Sequence, residues 1–193
     1  MRSTQPRRNE ETPWGPVQHV APLIPGVAGI DTAGHGGYWC SPGRWAEVMT
    51  RFPDLNPFAG PGWLEEDCDW AYAALTWPQA FGDNEIHHAL ATAQRYHAEE
   101  TKVFLASEAG QLLIERAKDY RESIADQWER GGGIYGSGLD NTQFTRVGDR
   151  AELIAVKFRP DDHKGLYTLE EIVAASERVQ QREVALAEAP EAS

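Results

Sequence analysis

Glu65-Glu66-Asp67-Cys68-Asp69 puts four carboxylates and a thiol into five consecutive positions. Paired with a histidine, that set suits two kinds of chemistry. A cysteine in the first turn of a helix is activated by the helix dipole, and an imidazole such as His35 would then serve as its base. Alternatively His35 and a carboxylate, Glu66 or Asp67, would form a general acid/base pair in a small hydrolase or transferase. The carboxylates oppose the first scheme, because negative charge beside a thiol raises its pKa. The competing structural account is a helix start whose acids satisfy the dipole while Cys68 packs inward as a small apolar residue.

Metal ligation is a weaker expectation. His35, Cys40, Cys68 and His87 or His88 are suitable donor types, but structural zinc sites usually carry closely spaced Cys or His pairs. The two cysteines stand 28 positions apart, and adjacent histidines on a helix point to different faces. Glu85-Ile-His-His88 contains one Glu-x-x-His, whereas carboxylate-bridged di-iron bundles need two copies. Gly131-Gly-Gly-Ile-Tyr-Gly-Ser-Gly138 lacks the lysine of a phosphate-binding loop and leaves a helix rather than opening one, so it reads as a turn. Neither a metal nor a cofactor is expected.

The charge pattern offers a different kind of function. The chain of 193 residues carries a net charge of −12. Residues 47–85 hold eight acids and one base, and residues 161–193 hold eight acids and three bases. A field of this sign repels nucleic-acid phosphates and anionic membranes, which excludes direct binding to either and favours a basic protein surface. Trp63, Trp70, Tyr72 and Trp77 are interleaved with the acids of the first segment. Aromatic anchors with an acidic rim describe a protein-binding surface, with Glu65, Glu66, Asp67, Asp69 and Trp63 as its contact residues. The plainer alternative is a core of aromatics beneath a solvated acidic face.

The elements that must position these residues follow from turn and periodicity signals. Residues 1–12 are polar and read as a disordered tail, as do residues 189–193. The stretches around Val17–Ala21 and Pro25–Ile30 read as two short strands joined at Pro22–Gly26. Gly34–Cys40 reads as a sharply bent loop, and Ser41-Pro42 opens a short helix over 42–50. Glu65, Glu66 and Asp67 are expected to open a helix that Pro78 stops, with a further helix from Asp83 to His97. Leu113, Ala117, Tyr120, Ile124 and Trp128 recur at spacings of three and four, which predicts one helix over 106–130 ended by Gly131-Gly132-Gly133. A strand over 151–158 with a partner at 165–168 precedes a last helix over 169–187. The whole predicts an α+β fold over 13–188 as a single domain: a small antiparallel sheet from N- and C-terminal strands, packed against a central set of helices.

Thr12-Pro-Trp-Gly15, His35-Gly-Gly37 with Ser41-Pro42, and Trp63-Leu-Glu-Glu-Asp-Cys-Asp-Trp70 with Pro78 and Phe81 form a pattern. It resembles a domain family of unknown function frequent in phage and plasmid genomes, over roughly residues 12–82. The resemblance implies a mobile-element setting and supplies neither a reaction nor catalytic residues.

Two cysteines are too few for a disulfide framework, no apolar run is long enough to span a bilayer, and Met1–Glu11 lacks the apolar stretch of a secretory leader. The expected setting is the cytoplasm of a host cell. The expected function is an acidic, protein-binding accessory factor that occludes a basic surface on a host nucleic-acid-handling defence protein, in the manner of an anti-CRISPR or anti-restriction inhibitor. The alternative is the small hydrolase or transferase built on His35 with an acid or Cys68. Self-pairing of the 106–130 helix into a homodimer is a further expectation.

Overall fold

The computed structural model describes residues 2–134, 141–156, 158 and 165–188. The chain is α+β and divides into two compact units, residues 1–120 and 121–193.

The first unit is built on a four-stranded antiparallel sheet in the order β3 (His19–Ile24), β4 (Val27–Asp31), β5 (Gly36–Cys40), β6 (Trp63–Glu65). A small separate pair, β1 (Glu11–Thr12) and β2 (Gly15–Pro16), precedes it. The β3–β4 hairpin turns at Pro25-Gly26, where Gly26 takes a φ of 85°. Side chains alternate between the two faces of such a sheet. Val20, Ala28, Ile30, Trp39 and Trp63 fill one face and pack with Trp14 and Val17. Val27, Cys40 and Leu64 belong to the other face and join the main core.

Residues 2–12, expected as a tail, are tied to this unit. The Asn9 N–H donates to the Val17 carbonyl at 2.8 Å, the Val17 N–H to that of Glu10 at 3.0 Å, and Arg2 pairs with Glu10. The reason is Trp14, whose indole meets Trp63 edge-on at 5.4 Å and anchors the segment over the sheet.

Gly34–Cys40 is not the bent loop expected. Residues 36–40 are a central strand, and the glycines serve close approach. Gly37 has a φ of 151°, and a Cβ there would lie 2.2 Å from the Leu64 carbonyl oxygen and 2.7 Å from the Trp14 ring. A Cβ on Gly36 would meet the Glu66 carboxylate at 2.7 Å. The two glycines thus let β5 lie against β6 and leave room for Glu66.

The main core lies under α1 (Pro42–Arg51), α2 (Trp70–Thr76), α3 (Asp83–Tyr96), α4 (Ala98–Leu105) and α5 (Glu108–Ser123). Pro42 starts α1 as expected, although the Ser41 side chain makes no capping bond. In α2 every residue from Ala71 to Thr76 is buried, and its alanines let neighbouring helices approach closely. Phe52 meets Tyr72 at 4.9 Å and Phe104 at 5.1 Å, both edge-on. The end of α2 would leave unpaired carbonyls, and Arg51 donates to those of Leu75 (2.7 Å) and Thr76 (3.2 Å). Arg116 of α5 likewise reaches the Pro78 and Phe81 carbonyls and the Asp83 carboxylate.

The helix expected over 106–130 is shorter. α5 ends at Ser123, and Trp128–Ile134 forms β7, so Gly131–Gly133 lie in a strand rather than at a helix end. The apolar stripe continues through the break because Trp128 serves a different core. Leu113 and Ala117 belong to the first unit's core, and Trp128 to the second's.

The second unit has its own antiparallel sheet, ordered β10 (Leu166–Tyr167), β7, β8 (Asn141–Arg146), β9 (Glu152–Val156), followed by α6 (Leu169–Glu188). Strands from the two ends of the chain therefore do not share one sheet. The strand at 152–156 pairs with β8, and its expected partner at 166–167 pairs with β7 instead. Phe144, Phe158 and Tyr167 contact one another edge-on at 4.8–5.6 Å and form the centre of this core with Ile172.

Gly37→Ala is expected to destabilise the first unit by about 3 kcal/mol or more, since it adds left-handed strain to a backbone clash. Gly43→Ala, on the exposed start of α1 with open space around it, should be neutral or stabilising by up to about 1 kcal/mol. Urea denaturation of both variants is the measurement, and equal effects would contradict the packing described for Gly37.

Candidate functional site

The residues Glu65–Asp69 do not open a helix. Glu65 ends β6, residues 66–69 turn, and α2 begins at Trp70. This turn, with β5 on one side and the α3–α4 junction on the other, assembles the site.

Glu65 is 4% exposed. Its Oε2 accepts the Cys68 backbone N–H at 3.0 Å and the Cys68 thiol at 3.3 Å. Burial by itself would raise its pKa, but backbone N–H donors from Asp67 and Cys68 stabilise the anion and hold the carboxyl below its ordinary value. The contact with that carboxylate pushes the exposed Asp67 carboxyl up. On the outer side His35 Nδ1 lies 3.0 Å from Glu66 Oε1 and 3.9 Å from Glu65 Oε1. The His35 side chain is 41% exposed, so this imidazole sits at the surface rather than at the bottom of a deep cleft.

On the inner side Asp69 is 2% exposed. It stands at the N-cap of α2 but makes no capping bond. Its Oδ2 accepts the Phe58 N–H at 2.8 Å, and its Oδ1 lies 3.5 Å from His97 Nε2 and 3.8 Å from Cys68 Sγ. Burial pushes the Asp69 carboxyl up. Burial and the neighbouring carboxylates push the Cys68 thiol up to about 12. Such a thiol is a poor nucleophile at neutral pH, and it points at Glu65 rather than His35, so the Cys68–His35 nucleophile scheme has no geometric support.

Of the residues expected to contact a partner, Glu65, Asp69 and Trp63 are buried and cannot form a surface; Glu66 and Asp67 are exposed. Others of the acidic segment are also used internally. Glu47 accepts from the Trp77 indole at 2.8 Å and pairs with Arg44, Asp83 pairs with Arg116, and Glu85 accepts the Gly82 N–H at 2.7 Å. The expected metal candidates are not brought together either. Cys40 is buried in the core, and His87 lies beside Tyr120 on α3 and α5. Among the described residues two other donor groups form instead, His35/Glu65/Asp67 and Cys68/Asp69/His97. Of the glycine-rich run, residues 135–138 lie outside the described residues, as does the tail at 189–193.

The sheet face carries a second feature. In the strand register Ala21, Gly29 and Tyr38 stand abreast, and Gly29 has no side chain to fill the gap. The result is an open groove of about 390 Å³, lined by Asp31, Tyr38, Glu66 and Trp70 among others. Among the described residues no lysine or arginine lines it. Its carboxylates are met by imidazoles, Asp31 by His19 at 3.3 Å and Glu66 by His35. His97, Asp31 and Tyr38 were outside the expected site, since nothing in their sequence spacing links them to residues 65–69.

A buried acid–thiol turn beside an open acidic groove, on a four-stranded sheet backed by helices, characterises this α+β unit. Residues 7–125 match a family described as a domain of unknown function, DUF7007, and the chain belongs to that family. No curated protein and no solved structure matches the chain. No helix among the described residues is long and apolar enough to cross a membrane.

Replacing Glu65 with Ala should cost about 2–3 kcal/mol, because it strips charged hydrogen bonds from a buried turn. Glu66→Ala should change stability by less than about 0.5 kcal/mol, as expected for an exposed side chain. Thermal and urea unfolding of the pair distinguishes the roles of the two adjacent glutamates.

Proposed function

We propose that the first unit is a binding module that captures a positively charged side chain of a partner protein in the groove between Asp31 and Glu66. The observation that carries this reading is the groove itself. Two carboxylates line a concave face with the aromatic residues Tyr38 and Trp70, and among the described residues of the lining there is no lysine or arginine; only the imidazoles of His19 and His35 meet them from outside it. A guanidinium or ammonium entering there gains charge-assisted hydrogen bonds and contact with aromatic side chains. Glu66 and Asp67 extend the negative edge at the surface, and the excess acidic charge steers a basic partner toward it. In this role the protein is a phage- or plasmid-borne accessory factor acting in the host cytoplasm. It occludes a basic surface of a host nucleic-acid-handling defence protein.

The measurement is calorimetric titration with an arginine-rich peptide, repeated with captured host proteins. Asp31→Asn and Glu66→Gln should each weaken binding about tenfold or more, and raising salt from about 0.15 M to about 1 M should weaken it further. Reversal of Glu65 or Asp69 is uninformative, since both are buried in the fold. Binding that survives the loss of both groove carboxylates overturns the reading.

A second reading, the small hydrolase or transferase, is favoured by one contact, the 3.0 Å pairing of His35 with Glu66 at the groove's edge. It expects His35→Ala to abolish turnover of ester or phosphoester substrates with little change in melting temperature. Turnover unchanged in that variant removes it.

A further inference from the structure

The Cys68, Asp69 and His97 side chains converge from two separated parts of the chain. Cys68 and Asp69 come from the turn before α2, and His97 from the junction between α3 and α4. Their donor atoms, one sulfur, one oxygen and one nitrogen, all lie within 4.8 Å of one another. We infer that Cys68 Sγ, Asp69 Oδ1 and His97 Nε2 form a three-ligand site for a zinc-like divalent cation, with a fourth position left for water or a ligand.

The distances match that assignment. A tetrahedral zinc ion, with Zn–S about 2.3 Å, Zn–N about 2.0–2.1 Å and Zn–O about 2.0–2.2 Å, sets its S and O donors about 3.6 Å apart and its N and O donors about 3.4 Å apart. Here Sγ···Oδ1 is 3.8 Å and Nε2···Oδ1 is 3.5 Å, each within a few tenths of an ångström of the tetrahedral value, and Sγ···Nε2 lies within 4.8 Å, so binding draws the sulfur and the imidazole together around the shared carboxylate. As a hydrogen-bonded cluster the same arrangement is poor. The buried His97 Nε2 has no hydrogen-bond partner among the described residues, and Asp69 forgoes its own helix cap. The Phe58 N–H holds Oδ2, which leaves Oδ1 turned to the sulfur and the imidazole.

A second feature lies beside the site. Tyr72 is 0% exposed, and its hydroxyl makes no hydrogen bond among the described residues. It follows Asp69 by three positions, so the two share a face of α2, and its ring lies 4.6 Å from that of His97. A buried phenol left unpaired is costly, and the site beside it is where a polar partner could be supplied.

The electrostatics agree. Without a cation, the buried Asp69 carboxyl and the Cys68 thiol lie together with the Glu65 carboxylate beside them. A dication inverts the preference. It takes the thiolate, releases the thiol proton to solvent and neutralises the neighbouring carboxylate. Glu65, bonded to the Cys68 backbone N–H, fixes the turn that carries the sulfur. The soft sulfur and the imidazole select zinc, cobalt or ferrous ions over magnesium or calcium.

The test is titration of the full chain, purified without metal, with Co²⁺ followed by Zn²⁺. One Co²⁺ per chain should bind, giving tetrahedral d–d bands and a near-ultraviolet thiolate-to-cobalt band that Zn²⁺ abolishes. Cys68→Ala should lose the thiolate band and weaken binding by more than about 100-fold, beyond the loss expected for an outer partner. Cys40→Ala and His35→Ala should retain it. Circular dichroism checks that each variant is folded. If Cys68→Ala fails to fold, His97→Ala is used, and it should lower Co²⁺ affinity by a similar factor. A folded wild-type protein that takes up no Co²⁺, a thiolate band that persists in folded Cys68→Ala, or unchanged affinity in His97→Ala each overturns the assignment.

Discussion

A carboxylate that ends a strand inside a protein has to be supplied with donors, and the arrangement around Glu65 follows from that need. Its oxygens collect the Cys68 backbone N–H and thiol while His35 approaches from outside. This fixes the turn between β6 and α2. Once the turn is fixed, Cys68 and Asp69 face inward and Glu66 and Asp67 face solvent. One interaction therefore separates five adjacent polar residues into an inner donor group and an outer acidic edge. Leaving Glu65 without those donors would expose a buried anion to several kcal/mol of desolvation cost, on the order of the stability of a small domain.

The glycines of β5 and β4 serve the same arrangement by different means. Gly36 and Gly37 bring β5 close enough to β6 for Glu66 to lie over the strand, and Gly29 leaves a trough between Ala21 and Tyr38. The groove and the inner donor group thus share the β6–α2 turn. Glu66 belongs to the first, and Cys68 and Asp69 to the second. The carboxylates of this region divide further by partner. Arg44, Arg116 and the Trp77 indole engage Glu47 and Asp83, so the surface is less negative than a count of acids suggests.

The parts of the fold that were legible in the sequence are those set by local chemistry. The β3–β4 hairpin carries a proline-glycine turn, α1 opens on Ser41-Pro42, α3 carries helical spacing after Asp83, and α6 begins where the sequence places a last helix. The parts that were not legible depend on distant partners. A glycine pair reads as a bend unless the strand it packs against is known, so β5 looked like a loop. The apolar stripe from Leu113 to Trp128 keeps helical spacing across a real helix end, because its members serve two cores. Glu65, Glu66 and Asp67 look like the acids of a first helical turn, yet burial of Trp63 and Leu64 extends β6 through Glu65 and delays the helix to Trp70.

By itself, the sequence determined the composition of the site and the class of the fold. Four carboxylates and a thiol in five residues, a histidine before two glycines, and alternating strand and helix signals are local facts, and local propensity reads them. Only the tertiary structure decided which of those carboxylates are buried, that His35 reaches Glu66, and that His97 meets Cys68 and Asp69. The physical reason is that burial and donor geometry belong to contacts between residues about thirty positions apart, and no one-dimensional spacing encodes which elements will pack there.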